Sequence, residues 1–276
     1  MQIYTVCNGD DTDFSNLTNC LNDIKEWAKN NYLKLNDAKT KYLNVTPGFS
    51  KSLISNFLPF NELVDFEKKV KNLGVIIDHK LSMKDQVSRV CKIGFFMLKN
   101  LWRISSKIQN TALKIQLVHS CILCHIDYCN SLFVGLSQKE IKRLQRLMNA
   151  SVRFIYNLNK RDYTISITDY LKKCHFLPVK LRIDFKMCVL VYKCLNGIAP
   201  KYMQEMINMK NSLESLRVYN DSTLLHIPQL HKLNYKNAKF STVAPSLWNK
   251  LPKTVRMSSS LAIFKCKLKT YFFTQF

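Results

Sequence analysis

From Met83 onward the apolar side chains recur every three or four residues, and no other pattern in the chain constrains its fold as tightly. Val87, Val90, Gly94, Met97, Leu98, Leu101 and Ile108 fall on one stripe of a long helix. A second helix is predicted at about 110–126, and a third at about 137–157 with Ile141, Leu144, Met148, Val152 and Ile155 facing inward. Three helices joined by short connections form a bundle. Further helices are predicted near 164–174 and 179–196. The second of these is apolar on nearly all sides through residues 188–192, so it is expected to be buried, and Gly197 and Pro200 end it.

Before Met83 the period differs. Leu17, Leu21, Ile24 and Ala28 predict one amphipathic helix over 15–31, with Ser15 as its cap. Alternation over 32–36 and 41–46, on either side of Asn36-Asp37 and stopped by Pro47-Gly48, predicts two strands. Residues 70–77 are a further β-branched run. The tail after Asp221 alternates short β-like pieces with turns at Pro228, Pro245 and Pro252, then closes with a helix from Ser260 to about Phe272. The fold class expected is α+β, mainly helical. It comprises a small α+β unit at 1–80, a three-helix bundle at 81–160 and an α-rich C-terminal region with short β pieces at 161–276.

Charge narrows the function. The 276 residues hold 42 Lys and Arg against 19 Asp and Glu, a formal net charge of +23. With 47% of residues hydrophobic and 11% aromatic, this is not a disordered basic tail but a chain able to build a core. Six basic residues and no acid lie between Asp85 and Asp127, and nine more with no acid lie between Ser222 and Phe276. Solvated faces of ordinary proteins mix signs, so acid-free stretches of this length predict a polyanion partner, RNA or DNA. Lys139, Lys142, Arg143 and Arg146, at offsets of three, four and seven, form a predicted basic stripe on the outer face of the third bundle helix. Lys265, Lys267 and Lys269 are the corresponding candidates in the tail.

Other chemistries find less support. Only six glycines occur, and neither GxGxxG nor GxxxxGK[ST] is present, which argues against a glycine cradle for a nucleotide phosphate. Asn8-Gly9-Asp10-Asp11 resembles a polymerase metal-binding turn, but it lacks an apolar strand on each side and runs into the first helix. Cys121, Cys124, His125 and Cys129 offer four potential zinc ligands. Against zinc, Cys121 and Cys124 fall inside an apolar helical stretch, where free cysteine behaves as a small hydrophobe. The longest uncharged apolar stretch, residues 115–126, is short of a bilayer span, so no membrane partner is expected. Ten cysteines thinly spread behind a start without a secretory pattern predict reduced thiols and an intracellular location, nuclear or cytoplasmic, rather than a secreted protein.

The order of short motifs adds a resemblance. Asn31-Tyr-Leu-Lys-Leu-Asn36-Asp-Ala-Lys39-Thr40 is followed by Lys71-Asn-Leu73-Gly74-Val75 with Asp78, by residues 126–132 (Ile-Asp-Tyr-Cys-Asn-Ser-Leu), and by Arg143-Leu-Gln145-Arg146 with Asn149-Ala150. Then come His175-Phe-Leu177-Pro178-Val179, Arg182-Ile183, Ala199-Pro200-Lys-Tyr202, Leu247-Trp248-Asn249 and Phe264-Lys265 with Leu268-Lys269-Thr270. The series covers essentially the whole chain and resembles the C-terminal part of reverse transcriptases of jockey-like non-LTR (LINE-type) retrotransposons.

The resemblance implies the end of a palm at 1–80, a thumb at 81–160 and a basic C-terminal extension at 161–276. It implies that Lys39 lies near the phosphates of an incoming nucleotide, and that Leu73, Gly74 and Val75 belong to a hairpin gripping the primer. Template-primer duplex would be the partner. Met1-Gln2-Ile3-Tyr4 matches the strand that follows the family's catalytic Tyr-Ala-Asp-Asp, which places the Mg2+-binding aspartates of the complete RNA-directed DNA polymerase upstream of Met1. The chain alone is therefore expected to have no catalytic residue, no enzymatic activity and no cofactor, and at most to bind nucleic acid. The alternative expectation is a domesticated helical binding or interaction module with structural zinc at the Cys121 cluster.

Overall fold

The computed structural model describes residue 3 and residues 11–36, 39–45, 67–159, 165–210, 223–228 and 239–276. Most of Met1-Gln2-Ile3-Tyr4 and Asn8-Gly9-Asp10-Asp11 lies outside the described residues. The chain divides into two compact units, 1–85 and 86–276, so the predicted bundle and C-terminal region share one unit. The described residues are mainly helical with one small two-stranded sheet.

In the first unit, α1 (Asp11–Asn30) starts earlier than expected, so Ser15 lies within the helix rather than at its cap. Its Leu17, Leu21, Ile24 and Ala28 are the less exposed face, as the spacing predicts. Residues 32–36 and 41–45 form no strand, which corrects the sequence expectation. Among the described residues their alternation meets only one backbone bond, from the Glu67 N–H to the Tyr42 carbonyl at 3.0 Å, Tyr32 is 99% exposed, and the Asn36 side chain accepts from the Lys39 N–H at 3.1 Å. The β-branched run at 70–77 is not one strand but a hairpin of β1 (Lys69–Asn72) and β2 (Val75–Asp78), antiparallel with Asn72 opposite Val75. Leu73 and Gly74 make its two-residue turn, both at positive φ (44° and 85°), as a mirror-image turn requires.

Asp78 anchors the turn that leaves the hairpin. Its carboxylate accepts from the Lys80, Ser82 and Met83 N–H groups at 3.1, 3.1 and 2.8 Å and from the Ser82 hydroxyl at 3.2 Å. Burial raises its pKa, but these donors outweigh burial and leave it below the ordinary 3.8. A depressed carboxylate pKa contributes stability above the unfolded-state value and loses it as pH falls through the folded one. Asp78→Ala is therefore expected to cost about 2 kcal/mol at neutral pH. Thermal unfolding at neutral and strongly acidic pH checks this, because the gap between variant and parent should close in acid.

Nearly all of α2 (Lys84–Arg103) lies in the second unit, and with α3 (Thr111–Val118) and α5 (Gln138–Ile155) it occupies the three predicted helical stretches, α3 packing on α5. The predicted helix at 110–126 is α3, capped by the Asn110 side chain on the Ala112 and Leu113 N–H groups, then a π-helical turn at His119–Leu123 and the short α4 (Cys124–Asp127). Ser137 caps α5 by accepting from the Glu140 N–H. Three ties join α2 to α5: Ser88 to Arg143, Gly94 to Leu147, and Trp102 to Phe154, whose rings lie 5.4 Å apart. They run in the same order along both helices, so α2 and α5 are parallel. Buried Lys114, donating to Asn157 Oδ1 at 2.9 Å and lying 5.4 Å over the Phe154 ring, fixes the start of α3 against the end of α5.

Gly94 is the close approach between α2 and α5. A Cβ there would collide with Leu147 Cδ2 and lie 3.0 Å from Cδ1, and Leu147 is fully buried. Alanine gains about 1 kcal/mol over glycine in a helix, yet Gly94→Ala is expected to destabilise by about 1–2 kcal/mol through overpacking. Combined with Leu147→Ala it should cost less than the sum of the two single changes. Additive values in denaturant unfolding would contradict the contact.

The remaining helices are organised by α7 (Val179–Leu195), whose stretch at 188–192 is buried on nearly all sides as predicted. The α6 helix (Ile167–Lys173) precedes it, and α8 (Lys201–Gln204), α9 (Phe240–Asn249), α10 (Lys253–Arg256) and α11 (Leu261–Phe273) come after it. Both α9 and α11 pack on α7. The predicted turn at Pro245 is instead helical. Thr242, Ala244, Pro245 and Trp248 form the buried face of α9, and that packing outweighs the roughly 3 kcal/mol cost of an interior proline. Among the described residues the expected β pieces of the tail reduce to one isolated bridge, Met209 to Leu225. No helix among the described residues is long and apolar enough to cross a membrane.

Candidate nucleic-acid interface

Of the predicted basic stripe on α5, Lys139, Lys142 and Arg146 are exposed and Arg143 is not equivalent to them. Arg143 donates to Glu140 Oε2 at 2.7 Å and to Ser88 Oγ at 3.0 Å, so its guanidinium is committed to joining α5 to α2. The face containing Arg143 and Arg146 meets Ser88, Cys91, Lys92 and Phe95 of α2 in a groove of about 500 Å³. No acid lines it. Burial pushes the Cys91 thiol pKa up, with Arg143 and Glu140 acting in opposite senses, so this cysteine is a wall of the groove rather than a nucleophile.

The groove continues onto an exposed face of α2. At 100° per residue, Lys92, Phe95, Phe96, Lys99 and Arg103 fall within a sector of roughly 100°. Phe95 and Phe96 are 44% and 59% exposed, large rings presented to solvent between cations. Sequence reasoning missed this face because it followed the apolar stripe on the other side of the helix. The available signals were the acid-free run and the phenylalanines lying off the stripe.

The tail lysines do not form one surface. Lys265 and Lys269 are one helical turn apart on α11, whereas Lys267, two residues from each, points elsewhere and donates to the Thr254 carbonyl at 3.1 Å. In the first unit the Lys39 side chain is exposed, Leu73 is at the exposed hairpin turn and Val75 is buried. The cysteine candidates are not gathered. Cys124 is exposed with its thiol donating to the Ser120 carbonyl at 2.7 Å, Cys121 and His125 are half-buried, and Cys129 is exposed at φ 53°. Among the described residues no group of three His, Cys, Asp or Glu is placed to hold a metal ion.

Several motif residues prove to be partners in the fold. Arg182 forks onto Asp127, donating from Nε to Oδ1 at 2.7 Å and from its terminal nitrogen to Oδ2. Gln145 accepts from the Val179 N–H at the start of α7 at 2.9 Å and donates to Asn149. Asn249 brackets the backbone of Leu225, while Trp248 donates to the Thr223 carbonyl. No family model, curated protein or solved structure matches the chain.

Proposed function

We propose that this chain binds RNA or DNA without sequence preference, along the groove between α2 and α5 and the adjoining face of α2. The observation that carries this reading is the acid-free groove lined by Lys92, Arg146 and the partly exposed Phe95. Lysine and arginine hold phosphates and release counterions, while exposed rings offer stacking faces to unpaired bases. The groove is lined by no Asn, Gln, Asp or Glu to read base edges, so backbone contacts dominate. The reading accords with the resemblance to LINE-type reverse transcriptases, in which residues 83–157 would be the thumb against a template-primer duplex. The resemblance assigns no metal-holding carboxylate to this sequence, and no polymerase step is assigned to the chain.

Fluorescence anisotropy with labelled single strands and duplexes of unrelated sequence tests the proposal. With about four cations engaged, Lys92, Lys99, Arg103 and Arg146, affinity should fall roughly a hundredfold between 50 and 200 mM salt. It should differ little among sequences. Affinity independent of salt would overturn the proposal.

A further inference from the structure

A second cavity, of about 610 Å³, lies apart from the groove and is built by other elements. His119 of the π-helical turn, Asn130 after α4, His175 after α6, Phe185 and Lys186 of α7 and Lys269 of α11 line it. Its one acid, Asp127, is already engaged by Arg182. Asn130, 2% exposed, donates from its amide nitrogen to Asp127 at 3.4 Å and helps to fix that carboxylate. Lys186 and Lys269 are exposed at the cavity and supply positive charge, His119 and His175 are exposed and supply ring nitrogens, and Phe185 and buried Phe176 supply an apolar wall.

We propose that this cavity binds a single nucleotide. Its phosphate would be held by Lys186 and Lys269, and its base would lie against Phe176 and Phe185. Both requirements are met together by a phosphorylated ligand that also carries a flat ring. Inorganic phosphate meets only the first, and a nucleoside only the second. The volume is within the range of small-molecule sites.

Isothermal titration of the full chain with AMP, adenosine and inorganic phosphate decides the matter. AMP should bind saturably and at least about tenfold more tightly than either part. Lys186→Glu and Lys269→Glu, both at exposed positions, should each weaken AMP binding about tenfold or more. Lys92→Glu with Arg146→Glu should leave AMP binding unchanged, because those residues line the other groove. Absence of saturable AMP binding, AMP no tighter than phosphate, or loss of AMP binding in the Lys92 and Arg146 variant would each overturn the proposal. None of these outcomes alters the oligonucleotide measurement, so the two sites stand or fall separately.

Discussion

Trp248→Ala is expected to cost about 4 kcal/mol of stability, the largest effect of any single truncation considered. Trp248 is 2% exposed on α9, where it meets α7 and α11. Its ring lies 5.7 Å from that of Phe264, which in turn stacks on Tyr192 at 4.5 Å. Truncation removes the transfer free energy of the indole and leaves a cavity between helices that hold one another in place. It also strands the Thr223 carbonyl, which accepts from Nε1 at 2.9 Å. Trp248→Phe retains most of the volume and loses the hydrogen bond, about 1 kcal/mol. Denaturant midpoints followed by circular dichroism measure both. A cost below about 1 kcal/mol for the alanine variant would show that the core is not centred there.

The second large effect concerns binding. Lys92→Glu with Arg146→Glu replaces two phosphate contacts by two repulsions in one groove, and should weaken oligonucleotide affinity about a hundredfold at moderate salt while flattening the salt dependence. Folding should be unaffected, because both side chains are exposed. Arg143→Ala should behave in the opposite way. Its guanidinium joins Glu140 to Ser88, so the loss appears mainly as instability, and Glu140, only 4% exposed, is left without that partner. Anisotropy titrations beside unfolding curves separate the two behaviours.

The helices were legible because their signals are local. Apolar spacing placed α2 and α5, and the all-round apolar character of residues 188–192 foretold their burial. The expected strands are absent over 32–36 and 41–45 because alternation specifies a strand only when a neighbouring ladder exists, and among the described residues a single bond from the Glu67 N–H to the Tyr42 carbonyl makes none. Pro245 sits in a helix because packing against α7 outweighs a local preference. The candidate site was legible in half. The helical period correctly brought Lys139, Lys142 and Arg146 to the surface, but Arg143 is withdrawn by Ser88, 55 residues earlier, a pairing no local pattern contains. Lys267 departs from Lys265 and Lys269 for a reason that was available, since two residues turn a helix by about 200°. The motif residues Asp127, Gln145, Arg182 and Asn249 were grouped by order alone. Their hydrogen bonds give that order a structural meaning, because each ties together segments remote in sequence.

Photo-crosslinking the full chain to a 4-thiouridine-substituted RNA, with the crosslinked peptides identified by mass spectrometry, tests the central claim most directly. Crosslinks are expected on the α2 peptides containing Phe95 and Phe96 and on the α5 peptides around Arg146, diminishing as salt is raised. Crosslinks confined to the tail around Lys265 and Lys269, with none on α2, would contradict the account.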